Sequence, residues 1–353
     1  MTLTSPRKGY RILITGGSGF LGSALIRELL DPASPLAIES LYNLDLEPPA
    51  AVSSDPRVTW ISGDVRNYDQ VAEASQGADL IFHAAAIVDW GTRSETEVMG
   101  VNVEGTRNVI RASIENGVRA LVFTSSLDVL FSGNPLRDVD ETFPYPEKHG
   151  SSYCVSKYLA EKLVLKANHD GLRTCSLRPA DIYGEGDPYH IGNLIRMARK
   201  GFYVRLGNGT ARCQHVYVGN VAHAHLLAAA TLLEGNGDAS GQAYFITDGP
   251  GTNFFSFFDA FVEGAGFRIW PRNFWLPRRI AYVLGTISEW MAAMVRPFRK
   301  YTPKLSRFAV TYTCTDYTFR SDKAHKELGF RPIYSAGEAY ERTVAYFRKQ
   351  TKK

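Results

Sequence analysis

Cysteine is scarce and dispersed in this sequence. The four cysteines, Cys154, Cys175, Cys213 and Cys314, form no C-x-x-C pair, so neither a zinc ribbon nor a dithiol redox motif is written in their spacing. The stretch Met1 to Lys8 lacks the apolar core of a secretory signal, and reduced thiols in a cytoplasmic protein are expected. Low-complexity tracts, heptads and solenoid-length repeats are absent too. With 353 residues, 44% of them hydrophobic and 22% charged, the chain has the composition of a globular protein with a deep core.

Nor is there a general excess of positive charge. The net charge is +4, and one segment supplies it: residues 268–307 hold nine basic side chains (Arg268, Arg272, Arg278, Arg279, Arg296, Arg299, Lys300, Lys304 and Arg307) against Glu289 alone. This argues against a nucleic-acid partner and for a local anionic neighbour.

The first 185 residues alternate short β-branched runs with longer amphipathic stretches, the rhythm of a parallel sheet covered by helices. Strands are predicted at Arg11–Thr15, Ser40–Asp45, Val58–Ser62, Leu80–His83, Ala120–Thr124 and Thr174–Arg178. Helices are predicted at Phe20–Leu30, Tyr68–Ser75, Ser94–Asn116 and Ser152–Asn168. The fold class is therefore α/β, a doubly wound Rossmann-type sheet over residues 1–185. Residues 186–353 read as a smaller, mixed substrate-binding part, with a strand at Ala243–Thr247 returning to the sheet.

The opening strand runs into Gly16, Gly17, Ser18, Gly19, Phe20, Leu21 and Gly22. Glycine permits a tight turn and close approach of a pyrophosphate, and the following helix offers unpaired N–H donors. The next strand ends at Asp45, 23 residues past Gly22, where a carboxylate accepts hydrogen bonds from a ribose diol and repels the extra phosphate of NADP. NAD is the expected cofactor. Asp64, with Val65 beside it, is placed to meet the adenine edge or to close a turn.

Tyr153 and Lys157 stand four residues apart, one helical turn on one face. The ammonium is expected to draw the phenol toward its ionised form and to hold the nicotinamide ribose. Ser126, just past the fifth strand, is placed to hydrogen-bond the reacting substrate oxygen, and its neighbour Ser125 to face the cofactor or pack. His83 reads as a packing residue. Asn102 supports the active-site helix or a proton path. His215, His223 and His225 form no metal-like set with nearby carboxylates, so no metal site is expected.

Together, TGGSGFLG at 15–22, FHAAA at 82–86, NVEGT at 102–106, TSS at 124–126, YCVSK at 153–157 and LRPADIYGEGD at 177–187 resemble the extended short-chain dehydrogenases/reductases. More narrowly they resemble the 3β-hydroxysteroid dehydrogenase/isomerase family, and TSSLDVLFSG with the Trp-rich basic stretch is similar to its sterol-4α-carboxylate 3-dehydrogenase branch. The resemblance implies Ser126, Tyr153 and Lys157 as the catalytic set, Ala84 and Ala85 along the cofactor, Pro179 and Ile182 beside the nicotinamide, and subunits paired through helices flanking the sheet. It implies interconversion of a secondary alcohol and a ketone on a 3β-hydroxysteroid or sterol. A 2-alkyl-3-oxoalkanoate reductase shares these motifs. A nucleotide-sugar epimerase and a non-catalytic NAD(P)-sensing scaffold are further alternatives.

Within the basic segment, Ile280, Val283, Leu284, Ile287, Met291, Met294 and Val295 recur at helical spacing between Pro277 and Pro297. Interrupted by Ser288 and Glu289, the stripe is too short to span a bilayer. Either it packs on the second domain or covers the substrate, or it lies in a membrane interface with Trp270, Trp275 and Trp290 at headgroup depth.

Overall fold

The computed structural model describes residues 9–49, 53–169, 171–201, 203–235, 239–295 and 305–351. Its aliphatic runs become β1 (Tyr10–Thr15), β2 (Ile38–Asp45), β3 (Val58–Ser62), β4 (Leu80–His83) and β5 (Ala120–Thr124), followed later by β7 (Arg173–Pro179) and β11 (Gln242–Ile246). These seven make one all-parallel sheet in the order β3-β2-β1-β4-β5-β7-β11. The order reverses at β1 and β4, which opens a crevice beyond their carboxyl ends.

The central strands β4 and β5 are buried along their whole length and mainly apolar, whereas the edge strand β3 is largely exposed. Ile12, Ile14, Phe82 and Val122 point into one core, while Leu13, Ile81, Leu121 and Phe123 point into the other. The first core is closed by α1 (Phe20–Leu30) and α7 (Val218–Glu234). The second is closed by α2 (Tyr68–Ala74), α4 (Gly105–Glu115) and α5 (Ser152–Lys166). The single helix predicted over Ser94–Asn116 is α3 (Glu95–Met99) joined to α4 through a wide π turn at Gly100–Glu104.

Three two-stranded parallel pairs build the irregular part: β6 (Leu136–Val139) with β13 (Tyr317–Phe319), β8 (Asp181–Tyr183) with β10 (His215–Tyr217), and β9 (Arg205–Leu206) with β12 (Trp275–Leu276). Around them lie α6 (Ile191–Arg199), α8 (Phe254–Gly264), α9 (Arg278–Val295) and α10 (Arg307–Thr313). Of these, β8, the start of α6 and α10 wall the crevice.

Candidate active site

The turn after β1 is pressed from two sides. Gly16 has φ +77° and a Cβ there would lie 2.7 Å from the Ala85 backbone; a Cβ on Gly22 would lie 2.1 Å from the Gly16 carbonyl oxygen. Neither position tolerates a side chain. α1 starts at Gly19 without a side-chain cap, so its first-turn amides remain available to an anion. The Asp45 carboxylate accepts from the Ser18 amide at 3.0 Å, and Asn43 Nδ2 donates to the Ser18 hydroxyl at 3.1 Å. A cradle of bare amides with a carboxylate beside it fits a dinucleotide's pyrophosphate and ribose.

A cavity of about 470 Å³ extends from this turn, lined by every predicted cofactor and catalytic residue except Ser18. Ser18 sits behind the loop and ties it to β2 through the two bonds just described. Asp64 lines the cavity while its carboxylate holds the Arg66 guanidinium at 2.5 Å and accepts from the Arg66 amide at 2.9 Å. That pairing keeps the carboxyl below its ordinary range. The buried Ser125 hydroxyl has no hydrogen-bond partner among the described residues.

The Ser151 hydroxyl caps α5 by accepting from the Cys154 amide at 3.2 Å. This sets Tyr153 and Lys157 on the face turned to the end of β5, both buried. Asn102 braces them: its Nδ2 donates to Ser156 Oγ at 2.9 Å and to the Ile87 carbonyl at 3.0 Å, its Oδ1 accepts from the Ile87 amide, and Ser156 Oγ donates to the Tyr153 carbonyl at 2.7 Å. The π turn is what carries Asn102 to this position. His83 lies between Thr15 Oγ1 and Thr106 Oγ1 at 2.7 and 2.9 Å, and burial pushes it down to about 3. It is a packing residue.

The expected effect of Lys157 on Tyr153 is not what this arrangement gives. Burial raises the phenol well above its ordinary value, the Asp128 charge raises it further, and the facing Ser126 hydroxyl lowers it. Lys157 Nζ instead donates to the Thr124 carbonyl at 2.6 Å, and burial brings it down to about 7 against the opposing pull of Glu161 and Asp128. Desolvation therefore outweighs the ion pairing predicted from spacing.

The inner wall was missed in the sequence. Asp128, Asp181, His190 and Tyr312 line it beside Ser126 and Tyr153. Burial, then the Asp181 charge, lifts Asp128 to about 7, with Ser126 and His190 opposing. Tyr312 donates to Asp181 Oδ1 at 2.7 Å. The expectation that His215 stands apart from carboxylates is corrected: Asp181, Cys213 and His215 each bring a donor atom within 4.8 Å of the others. β8 pairs with β10 in parallel and aligns Asp181 with His215, a long-range pairing the local sequence does not reveal. His225 does stand apart, bonded to Thr124 Oγ1 and the Val221 carbonyl at 2.8 Å each.

Helix α9 buries only Ala281, Gly285 and Ala292, the small residues that let α10 approach. Its large side chains face outward: Ile280, Val283, Leu284, Ile287, Trp290, Met291, Met294 and Val295 are all exposed, Trp290 to 65%. The stripe is therefore not packed on the second domain. Trp270 is exposed, whereas Trp275 packs edge-on against Phe255 at 5.9 Å, since β12 holds it against β9; Trp275 is thus not free for headgroup contact. Glu289 accepts from the Arg307 amide and guanidinium at 2.7 Å each. Arg296, Pro297, Arg299, Lys300 and Lys304 lie outside the described residues. Among those described, no helix is long and apolar enough to cross a membrane.

A parallel sheet of this order, a glycine cradle with Asp45 at its side, and Ser126, Tyr153 and Lys157 meeting in one cavity define an extended short-chain dehydrogenase/reductase, a nicotinamide-dependent oxidoreductase acting on CH–OH groups. The sequence profile of the 3-beta hydroxysteroid dehydrogenase/isomerase family matches residues 13–276, and the chain belongs to that family. It is 35% identical to the 3 beta-hydroxysteroid dehydrogenase type 7 of Homo sapiens, covering 96% of each chain. It is 34% identical to the short-chain dehydrogenase/reductase family 42E member 1 of Xenopus laevis, over 93% of this chain and 86% of that one. Among solved structures, the dTDP-glucose 4,6-dehydratase of Streptomyces venezuelae, determined with NAD bound, superposes with a TM-score of 0.76 at 22% identity over 97% of this chain and 98% of that one, a likeness of fold.

Proposed function

We propose that the protein is an NAD-dependent dehydrogenase/ketoreductase that interconverts a secondary alcohol and a ketone on a large apolar substrate, a 3β-hydroxysteroid or sterol. The observation that carries this reading is one cavity in which Tyr153, Lys157 and Ser126 sit between the glycine cradle and a wall containing Ile87, Val88, Trp90 and Phe308. Two sequence relatives named as steroid dehydrogenases at about a third identity support it.

The dinucleotide supplies the hydride acceptor or donor. Gly16, Gly19 and Gly22 receive the pyrophosphate, Asp45 accepts from the adenosine ribose diol, and Asp64 and Val65 border the adenine. Ala84, Ala85, Ser125, Pro179 and Ile182 border the nicotinamide half. Lys157 holds the nicotinamide ribose hydroxyls when it turns from the Thr124 carbonyl. Tyr153, held as the phenol by burial, gives its proton to the ketone oxygen in reduction, and the phenolate left by that transfer takes the proton of the substrate hydroxyl in oxidation. Ser126 fixes the substrate oxygen between itself and Tyr153. Ile87, Val88, Trp90 and Phe308 cover the apolar body and keep water from it.

The same reading lays α9 on a lipid surface, its outward apolar side chains in the acyl boundary and Arg278 and Arg279 at the headgroups. A substrate drawn from a bilayer then enters beside α10.

The polar inner wall favours a second reading. Asp128, Asp181 and His190 suit a hydroxyl-rich ligand, and the solved neighbours include enzymes crystallised with nucleotide sugars. The deciding experiment is a NADH-fluorescence screen of sterols, steroids, β-keto acids and nucleotide sugars with both dinucleotides. Turnover of 3β-hydroxysteroids with NAD is expected; turnover of nucleotide sugars alone overturns the steroid assignment.

A further inference from the structure

At the inner wall, Asp181 on β8, Cys213 just before β10 and His215 on β10 form a cluster that the proposed proton and hydride transfer does not use, with side-chain exposures of 9% for Asp181 and 3% for His215. One donor atom of each lies within 4.8 Å of the others. His190, at the N-cap of α6, flanks the group: its Nε2 is 3.7 Å from Asp181 Oδ1 and its Nδ1 3.6 Å from Asp187 Oδ2.

The carboxylate and the imidazole are not satisfied by one another. Cys213 Sγ makes long sulfur hydrogen bonds, 3.8 Å to His215 Nε2 and 3.7 Å to the Thr252 carbonyl, and Asp181 Oδ2 and His215 Nδ1 face each other at 3.8 Å. Separations of this size are too long for nitrogen–oxygen hydrogen bonds. Among the described residues, Asp181 Oδ2 and His215 Nδ1 have no hydrogen-bond partner. Buried polar atoms left in this way are costly unless a water or an ion fills the gap between them.

The donor types decide between the two. A thiol, an imidazole and a carboxylate supply the sulfur, nitrogen and oxygen donors that zinc takes. With metal–nitrogen distances of about 2.0–2.1 Å and metal–sulfur of about 2.3 Å, neighbouring donors stand roughly 3.3–3.7 Å apart. The 3.8 Å between Asp181 and His215 needs to close by only a few tenths of an ångström. The rings are already held: His215 stacks on Phe257 at 4.0 Å and His190 on Phe258 at 5.1 Å, both from α8. An apolar sleeve of this kind fixes ligand orientation and keeps water away. A thiolate and a carboxylate with one neutral imidazole also balance the charge of a divalent ion, which water does not.

We propose that Asp181, Cys213 and His215 bind a zinc-class divalent ion at a structural site. Such an ion clamps β8 to β10 and, through the Tyr312 bond to Asp181, ties α10 to them. It would set the floor of the substrate cavity without touching the reacting atoms.

The test uses the full-length chain, produced without a polyhistidine tag, zinc-loaded and gel-filtered. Plasma mass spectrometry is expected to find close to one zinc per chain. After exchange with Co²⁺, a thiolate-to-cobalt charge-transfer band is expected, absent from Cys213→Ser. His215→Asn keeps the thiol and is expected to lose most of the bound metal. NADH-binding fluorescence reports whether each variant is folded. If a variant does not fold, wild-type stoichiometry, the cobalt band and the loss of thermal stability on chelation carry the test alone. Less than about a tenth of an equivalent of metal in the loaded wild type, or an equally strong cobalt band in folded Cys213→Ser, overturns the site.

Discussion

The Ser126 hydroxyl donates to Asp128 Oδ2 at 2.9 Å while the Asp128 amide donates back to Ser126 Oγ at 3.1 Å. A serine held this way presents lone pairs to the cavity and not its proton. With Asp128 lifted to about 7 by burial and by Asp181, protonation near neutrality reverses the bond and frees the Ser126 hydrogen for a ketone oxygen. Ketone reduction should therefore fall as pH rises through about 7, and Asp128→Asn, whose amide donates permanently, should flatten that limb of the rate profile. Persistence of the limb in the variant sinks this account.

The same residue makes a stability prediction. Asp128's folded value lies above its unfolded one, so its ionisation opposes folding: stability is lost as pH climbs from about 4 to about 7. The advantage of Asp128→Asn over wild type should grow across that window, reaching about 2–4 kcal/mol at pH 8. Urea denaturation at pH 5 and pH 8 measures it. An equal difference at both pH values would show that the carboxyl is not held up in the native state.

Tyr153→Phe removes a hydroxyl that faces Ser126 in the cavity. The kcat should drop at least about a hundredfold, since that hydroxyl moves the proton, while the NADH dissociation constant changes little because the glycine cradle is untouched. A variant that keeps its turnover would point to a nucleotide-sensing role and away from catalysis.

How much of this was readable in sequence depends on whether the signal is local. Strand β1, the glycine turn and Asp45 were legible because one consecutive strand–helix–strand unit, β1 to β2, contains the whole cradle. Tyr153 and Lys157 were legible because helical spacing alone puts them on one face. Asp128, Asp181, His190 and Tyr312 were not, since they converge from four separate elements. Only the short interval from Ser126 to Asp128 offered a hint. Trp275 was misplaced because two residues of β12 pairing with β9 carry no periodic signature. The π turn escaped too, yet its position makes Asn102 a brace.

Asp45 orders the cradle from within, through the Ser18 amide. Asp45→Ala should lose both that bond and the ribose diol, weakening NAD binding by about tenfold or more, and should narrow the gap between NAD and NADP. Fluorescence titration of both reduced dinucleotides decides it; an unchanged preference would place the ribose elsewhere.

Helix α9 inverts the usual arrangement, with Ala281, Gly285 and Ala292 inward and its bulky apolar side chains in solvent. An exposed patch of this extent is unfavourable in water unless something covers it, and arginines at positions 278 and 279 select an anionic surface. Wild-type protein should co-sediment with vesicles of mixed phosphatidylcholine and phosphatidylserine, less as the anionic fraction falls and less at high salt. Ile287→Asp together with Met291→Asp should reduce partitioning by about tenfold or more and leave turnover of a detergent-dispersed substrate intact. Concentration-dependent dimerisation of the wild type without any vesicle binding would instead assign the same face to a second copy of the chain.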